Sequence, residues 1–197
     1  MSTWWHRERL AAVLEAVSQA QAARILDLGC GSGDLMLPLL DLPGITRIVG
    51  LDLDRAALAR CRDSLATLPK GRLAEAREGS MTVPHPDLTG FDCACLVETI
   101  EHLPPTALPA LEAAVFAGMR PRVVIVTTPN AEFNDLLGVP RTRLRRPDHH
   151  FEWTRAQFRA WAEAVARRQS YAVTLRDVAG AHPDLGGASQ MAVFVRA

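Results

Sequence analysis

The sequence predicts an α/β fold in which a mostly parallel, seven-stranded sheet carries helices on both faces. Three observations support this prediction. Short apolar runs alternate with segments of helical apolar spacing. A glycine-rich turn follows the first apolar run, and the chain ends in two strand-like runs joined by a turn that contains glycine and proline.

Helices and strands follow one another in the order that a parallel sheet requires. The strands should lie in ARILDL, TRIVGLDL, RLAEARE, FDCACLV and RVVIVTT, and the helices in residues 4–19, DLMLPLLDL, DRAALARCRDSLATL and ALPALEAAVFAGM. Asp54 is placed to cap the third of these helices. A further helix begins at Thr154 in TRAQFRAWAEAVARRQ, and YAVTLRDV and QMAVFVRA then form an antiparallel C-terminal hairpin.

The length of 197 residues predicts a single domain over residues 1–197. The proportions of 48% hydrophobic and 22% charged residues are ordinary for a globular protein. The sequence shows no membrane-spanning run and no signal-peptide pattern, so we expect a cytoplasmic protein without a membrane partner. The cysteines lack CxxC spacing, which argues against a thiolate zinc site. Cys93 and Cys95 alternate along an apolar run and should share one strand face.

The glycine-rich turn ILDLGCGSGD indicates a cofactor loop. Gly29, Gly31 and Gly33 follow the first strand, where the backbone must turn tightly and approach a ligand closely. A dinucleotide-binding loop would have glycine or alanine where Asp34 stands, and the carboxylate of Asp34 would repel a pyrophosphate. The loop therefore disfavours NAD.

S-adenosylmethionine suits this loop better, because it carries a sulfonium, an ammonium and a ribose diol but no phosphate. Asp52 ends the second strand and can accept hydrogen bonds from both ribose hydroxyls, while Asp27 lies close enough to favour the ammonium. The alternative is a glycine turn without a cofactor. A parallel sheet that ends in an antiparallel hairpin is also the arrangement of Rossmann-like class I methyltransferases, an analogy at the level of fold.

A second group of polar residues, in VETIEHLPP, follows the fourth strand. If the chain turns helical there, Glu98, Glu101 and His102 share one face, and two carboxylates beside an imidazole favour a divalent cation. The alternative is a solvated acidic helix start. A fourth ligand could be His149 or His150, from the long loop over residues 129–152. Mixed carboxylate and imidazole ligands suit manganese, iron, cobalt or zinc better than magnesium.

The same long loop contains a cluster of arginines. The formal net charge is zero, so the charge of the whole molecule does not indicate a nucleic-acid partner. A local basic patch can nevertheless bind phosphates. The candidate RNA-binding residues are Arg141, Arg143, Arg145 and Arg146.

The chain resembles the Hen family, RNA methyltransferases that modify the 2′-hydroxyl of a 3′-terminal nucleotide. The resemblance covers nearly the whole chain through LDLGCGSGD, EGSM, FDCACLVETIEHL, TTPNAEFN, DHHFEWTRAQFRAWA and SQMAVF. The pair E-x-x-E-H and D-H-x-F-E-W is its most specific part. Two features depart from the family: RRPDHH has arginine and proline where relatives are often richer in histidine, and we expect no domain besides the one over residues 1–197.

The resemblance implies roles for individual residues. It implies S-adenosylmethionine binding by Gly29, Gly31 and Asp52, with Ser80 near the cofactor, and it places Arg145 near the RNA end. It implies one divalent metal ion, manganese or magnesium, and a partner protein of the RNA-repair or RNA-binding type. The metal ligands and catalytic residues that it implies are Glu98, Glu101, His102 and His149.

These observations predict a metal-dependent enzyme that methylates the 2′-hydroxyl at an RNA 3′ end. We expect the metal to chelate the vicinal 2′ and 3′ hydroxyls of the terminal ribose. One alternative is a metal-dependent O-methyltransferase for a small diol or catechol, which the arginine cluster disfavours. Another is a non-catalytic module that binds RNA ends, which would require the loss of cofactor or metal residues.

Overall fold

A computed structural model describes residues 3–140 and 142–197. The elements are α1 (Trp4–Gln19), β1 (Arg24–Leu28), α2 (Met36–Leu39), β2 (Arg47–Asp52), α3 (Arg55–Ala66), β3 (Ala74–Glu78), β4 (Cys93–Val97), α4 (Leu108–Glu112), β5 (Val123–Pro129), α5 (Arg155–Gln169), β6 (Tyr171–Val178) and β7 (Ser189–Arg196). Short 3-10 turns cover Gly71–Leu73, Pro86–Leu88, Ile100–His102, Pro105–Ala107 and Ala131–Leu137.

The strands form one seven-stranded sheet in the order β3-β2-β1-β4-β5-β7-β6. Neighbours from β3 to β5 pair in parallel, whereas β7 lies antiparallel between β5 and β6. The predicted α/β fold with a C-terminal hairpin is therefore confirmed. Among the described parts of the chain, none of the helices combines the length and hydropathy that crossing a membrane requires.

Helices cover both faces of the sheet because the central strands are apolar on both sides. In β1, Ile25 belongs to one core cluster and Leu26 to the other. Cys93 and Cys95 lie together in the same cluster as Ile25, with their sulfur atoms 4.0 Å apart, as their alternation predicts. Both helix starts inferred from sequence are present: Asp54 caps α3, and Thr154 forms a capping box with α5.

Two predicted helices are shorter than the sequence pattern suggested. Only Met36–Leu39 of DLMLPLLDL is α-helical, and the N–H of Leu40 already donates to the Leu37 carbonyl in a tighter, 3-10-type bond of 3.2 Å. The helix α4 ends at Glu112 and continues as a wider π-helix over Ala113–Met119.

The glycine loop fixes the carboxyl edge of the sheet where β1, β2 and β4 end. Gly29 has a φ of +85°, a conformation that side chains rarely adopt, and its N–H donates to the Leu51 carbonyl over 2.7 Å. A Cβ atom at Gly29 would lie 2.3 Å from the Thr99 Cγ2 atom. The loop therefore packs directly against the segment that follows β4.

Gly29→Ala should cost more stability than Gly44→Ala, although both glycines have nearly the same positive φ, +85° and +83°. Each substitution imposes backbone strain of about 1–3 kcal/mol. Only Gly29→Ala adds a clash, because no atom lies within 4 Å of a Cβ built at Gly44. Chemical denaturation measures both losses, and equal values would contradict the close approach to Thr99.

Candidate active site and metal centre

Two clefts meet at the glycine loop, on the carboxyl edge of the sheet. The smaller has a volume of about 420 Å³ and the larger about 640 Å³. The residues common to both linings are Gly29, Gly31, Glu98, His102 and Arg146. A ligand lying across the loop can therefore reach both clefts.

Asp52 stands in the smaller cleft with its carboxylate held in place. Its Oδ2 accepts the Gly31 N–H over 2.7 Å, and its Oδ1 accepts the Asp54 N–H over 2.8 Å. A carboxylate has about four acceptor positions, so both oxygens can still accept hydroxyl hydrogen bonds. Leu53, which is 68% exposed, and Ser80 line the same cleft. This cleft offers an apolar wall beside a fixed carboxylate.

Gly33 lies outside the linings of these two clefts. Its φ is +91°, and a Cβ atom there would lie 2.8 Å from the Cys61 sulfur. Gly33 therefore allows the loop to pack closely on α3, a structural role that differs from the predicted contact with the cofactor.

Asp27 is a buried carboxyl group that lines the larger cleft. Its Oδ2 has no hydrogen-bond partner. Burial is the main reason that its pKa is raised to about 8, and the charges of Cys61, Asp52 and Asp34 add to this. A ligand cation beside Asp27 would give the Oδ2 atom a partner and would stabilise the charged carboxylate.

Glu101, His102 and His149 converge in the larger cleft. Each offers one ligand atom, and these atoms lie within 4.8 Å of one another. The Oε2 of Glu101 accepts from the Thr128 hydroxyl over 3.0 Å, but its fully buried Oε1 has no partner. Burial and the charge of Glu98 raise the pKa of Glu101 well above its usual range. A divalent cation fits this arrangement, because it would satisfy the orphaned oxygen and neutralise the carboxylate.

Both histidine rings are oriented by acceptors on their Nδ1 atoms. The Nδ1 of His149 lies 2.6 Å from the Oε1 of Glu152, and the Nδ1 of His102 lies 3.2 Å from the Asp148 carbonyl oxygen. Each ring can thus present its Nε2 to a cation. Burial lowers the pKa of His102, which favours the neutral imidazole that a metal requires.

The two neighbouring histidines of the loop differ in position. His149 is buried in the trio, whereas the His150 side chain is exposed and its backbone N–H donates to the Glu101 carbonyl over 2.7 Å. The geometry thus favours His149, the ligand that the family resemblance implies.

Glu98 does not lie with Glu101 on a helical face, contrary to expectation. Its φ is +52°, and the following 3-10 turn covers only Ile100–His102. Leu103 ends this turn in an extended conformation, which the following Pro104 favours. The Glu98 carboxylate instead forms an ion pair with Arg9 over 3.2 Å, a residue that sequence analysis missed.

The arginine cluster divides into exposed and internal residues. Arg143 and Arg146 are exposed, and Arg146 pairs with Asp148 over 3.0 Å, while Arg141 lies outside the described residues. Arg145 differs, because its guanidinium donates to the Asn134 side chain and to the Ala188 and Asn130 carbonyls. Three of its five N–H donors are therefore engaged within the protein, so its guanidinium holds the loop to the rest of the fold.

Comparisons with known proteins agree with this geometry. A family model for a methyltransferase domain matches residues 25–122. The crystal structure of the methyltransferase domain of bacterial CtHen1-C is similar to this chain, with 33% identity, a TM-score of 0.88 and 98% of each chain covered. The CtHen1-CN structure has 32% identity, a TM-score of 0.86, and coverage of 97% of this chain and 99% of that one.

Curated relatives in vertebrates are also similar. The small RNA 2′-O-methyltransferases of Gallus gallus and Xenopus tropicalis are 34% and 36% identical over 97% of this chain. The match covers 54% of each of these proteins, so the chain spans about half the length of the curated relatives.

Arg145→Met should lower the free energy of unfolding by about 3 kcal/mol, because it removes three charge-assisted hydrogen bonds, to the Asn134 side chain and to the buried Asn130 and Ala188 carbonyls. Arg146→Met removes the same charge from an exposed pair and should change stability by no more than about 0.5 kcal/mol. Urea denaturation compares the two variants. Equal small losses would show that Arg145 does not hold the loop in place.

Proposed function

The chain belongs to the Hen family of methyltransferase domains, and we propose that it transfers a methyl group from S-adenosylmethionine to the 2′-hydroxyl of an RNA 3′ end. The observation that carries the proposal is the position of the trio Glu101, His102 and His149, which lies in the larger cleft beside the glycine loop. A ribose held there would face a methyl donor lying across the loop.

The two clefts suit the two ends of the cofactor. Asp52 and the exposed Leu53 would hold the adenosine, since a fixed carboxylate can accept from both ribose hydroxyls. Asp27 lies on the other side of the loop and would face the ammonium. The methyl group would then lie where the clefts join, next to Glu98 and His102.

Glu101, His102 and His149 would hold one divalent cation, manganese or magnesium, and Glu98 remains a predicted fourth ligand. A bound divalent cation lowers the pKa of a ribose hydroxyl and fixes a vicinal diol. Glu152 and Asp148 contact the Nδ1 atoms of the two imidazoles, which would leave each Nε2 free to hold the cation. Thr128 orients the Glu101 carboxylate through a hydrogen bond of 3.0 Å.

Arg143 and Arg146 would bind the phosphates that lead into the terminal nucleotide, because both are exposed and Arg146 lines the cleft of the trio. Arg141 stays a predicted RNA contact, whereas Arg145 would order this loop. Such contacts are independent of base sequence and weaken with salt.

The whole chain would act as one catalytic domain, since the described residues form one sheet with core clusters on both faces. A partner protein that selects the RNA remains a prediction. A cytoplasmic location also remains a prediction. It is compatible with the four free, buried cysteines.

An RNA ending in free 2′ and 3′ hydroxyls should accept the methyl group, while a 3′-deoxy end should react about 100-fold more slowly, because loss of one chelating hydroxyl loosens the reacting ribose. Transfer of a labelled methyl group with saturating Mn²⁺ measures both rates. Equal rates would contradict the chelated diol, and transfer to catechol but to neither RNA would favour the small-molecule alternative.

His149→Ala should abolish saturable Mn²⁺ binding, whereas His150→Ala should leave it nearly unchanged, because only His149 belongs to the trio. Calorimetric titration of the two neighbouring variants decides the assignment. Loss of Mn²⁺ binding in the His150 variant alone would contradict it.

Binding of S-adenosylhomocysteine, which carries the same ammonium, should release about one proton at about pH 7. With its pKa raised to about 8, Asp27 is mostly protonated in the free protein, and the ammonium would favour the carboxylate. Affinity should therefore rise with pH until it levels off near the raised pKa. Calorimetry in buffers of different ionisation enthalpy counts the proton. If the Asp27→Asn variant released the same number of protons on binding, Asp27 would not be the residue that faces the ammonium.

A further inference from the structure

Arg9 reaches from helix α1 into the larger cleft, where it contacts the one predicted metal ligand that lies apart from the trio. Its Nη2 is 3.2 Å from the Oε2 of Glu98, and its Nε donates to the Ser189 hydroxyl over 3.1 Å. The Arg9 and Glu98 side chains are only 13% and 18% exposed. A pair this sheltered is screened less by salt than a surface ion pair.

Glu98 is held by more than the arginine. The Thr127 hydroxyl donates to its Oε1 over 3.1 Å, and the Ser189 hydroxyl donates to its Oε2 over 3.3 Å. Its backbone N–H donates to the Thr127 carbonyl over 3.1 Å. Both carboxylate oxygens therefore have protein partners, whereas the Oε1 of Glu101 has none.

Arg9 and a divalent cation in the trio would attract the same carboxylate. Glu98 lines the larger cleft together with Glu101, His102 and His149. Its negative charge helps to raise the pKa of Glu101. Turning the Oε2 of Glu98 toward the trio would break its contact with Arg9. Each interaction therefore opposes the other.

We propose that Arg9 is a positioning residue that holds Glu98 away from the trio, and that cation binding moves the Glu98 carboxylate from Arg9 to the metal. This inference rests on the metal site of the proposed function. It adds that Arg9 competes with the cation for the Glu98 carboxylate. Arg9 then weakens cation binding, and it does so through Glu98. The N-terminal helix α1 is thereby coupled to the metal centre.

A double-mutant cycle on Mn²⁺ affinity tests the proposal. Arg9→Met keeps an apolar stem without the charge, and it should tighten Mn²⁺ binding about five- to tenfold in calorimetry. In the Glu98→Gln background the same substitution should change the affinity by less than about twofold. Ser189→Ala removes one donor from Glu98 at constant charge, so it should tighten binding about twofold, in the same direction.

The control is Arg176→Met, which removes the charge from another arginine that contacts α1, through Glu15, and it should leave Mn²⁺ affinity unchanged. Weaker or unchanged binding in both Arg9→Met and Ser189→Ala would overturn the proposal. If Arg9→Met tightened Mn²⁺ binding equally in the wild-type and Glu98→Gln backgrounds, the proposal would also be overturned. The effect would then come from the loss of a positive charge near the cation and would not require Glu98. Failure of the wild-type protein to bind Mn²⁺ would instead contradict the metal site of the proposed function.

Discussion

The site depends on one constraint, the burial of the Glu101 carboxylate in the turn that follows β4. Its Oε1 is inaccessible and has no hydrogen-bond partner, so the negative charge is costly there without a cation. The Glu101 carboxylate is buried because of the position of its segment in the fold. The strand β4 lies between β1 and β5, and the turn after it lies beside the glycine loop and Thr128. A cation at Glu101 would therefore lie beside the glycine loop.

The loop that carries His149 is held by an internal hydrogen-bond network centred on Glu152. This carboxylate accepts from the His149 ring, from the Asn134 side chain and from the Arg145 backbone N–H. The Arg145 guanidinium then ties the loop to the carbonyls of Asn130 and Ala188. A long loop can position a metal ligand accurately because these bonds replace the ladder of a sheet.

The sequence predicted the parts of the site that depend on local rules. The glycine loop, Asp52 at the end of β2 and the cap at Asp54 each follow from turn geometry or strand order. The sequence did not predict the side-chain positions that depend on tertiary contacts. Glu98 has a positive φ, and its N–H donates to the Thr127 carbonyl of β5. Its partner Arg9 is distant in sequence, and no local pattern indicates that the Arg145 charge points inward.

The central claim is that a divalent cation binds between Glu101, His102 and His149. Anomalous diffraction at the manganese absorption edge tests it most directly, in crystals grown with Mn²⁺ and S-adenosylhomocysteine. We expect an anomalous peak within bonding distance of the Glu101 Oε1 and of the Nε2 atoms of both histidines. A peak elsewhere, or an ordered trio without a peak at saturating Mn²⁺, would contradict it.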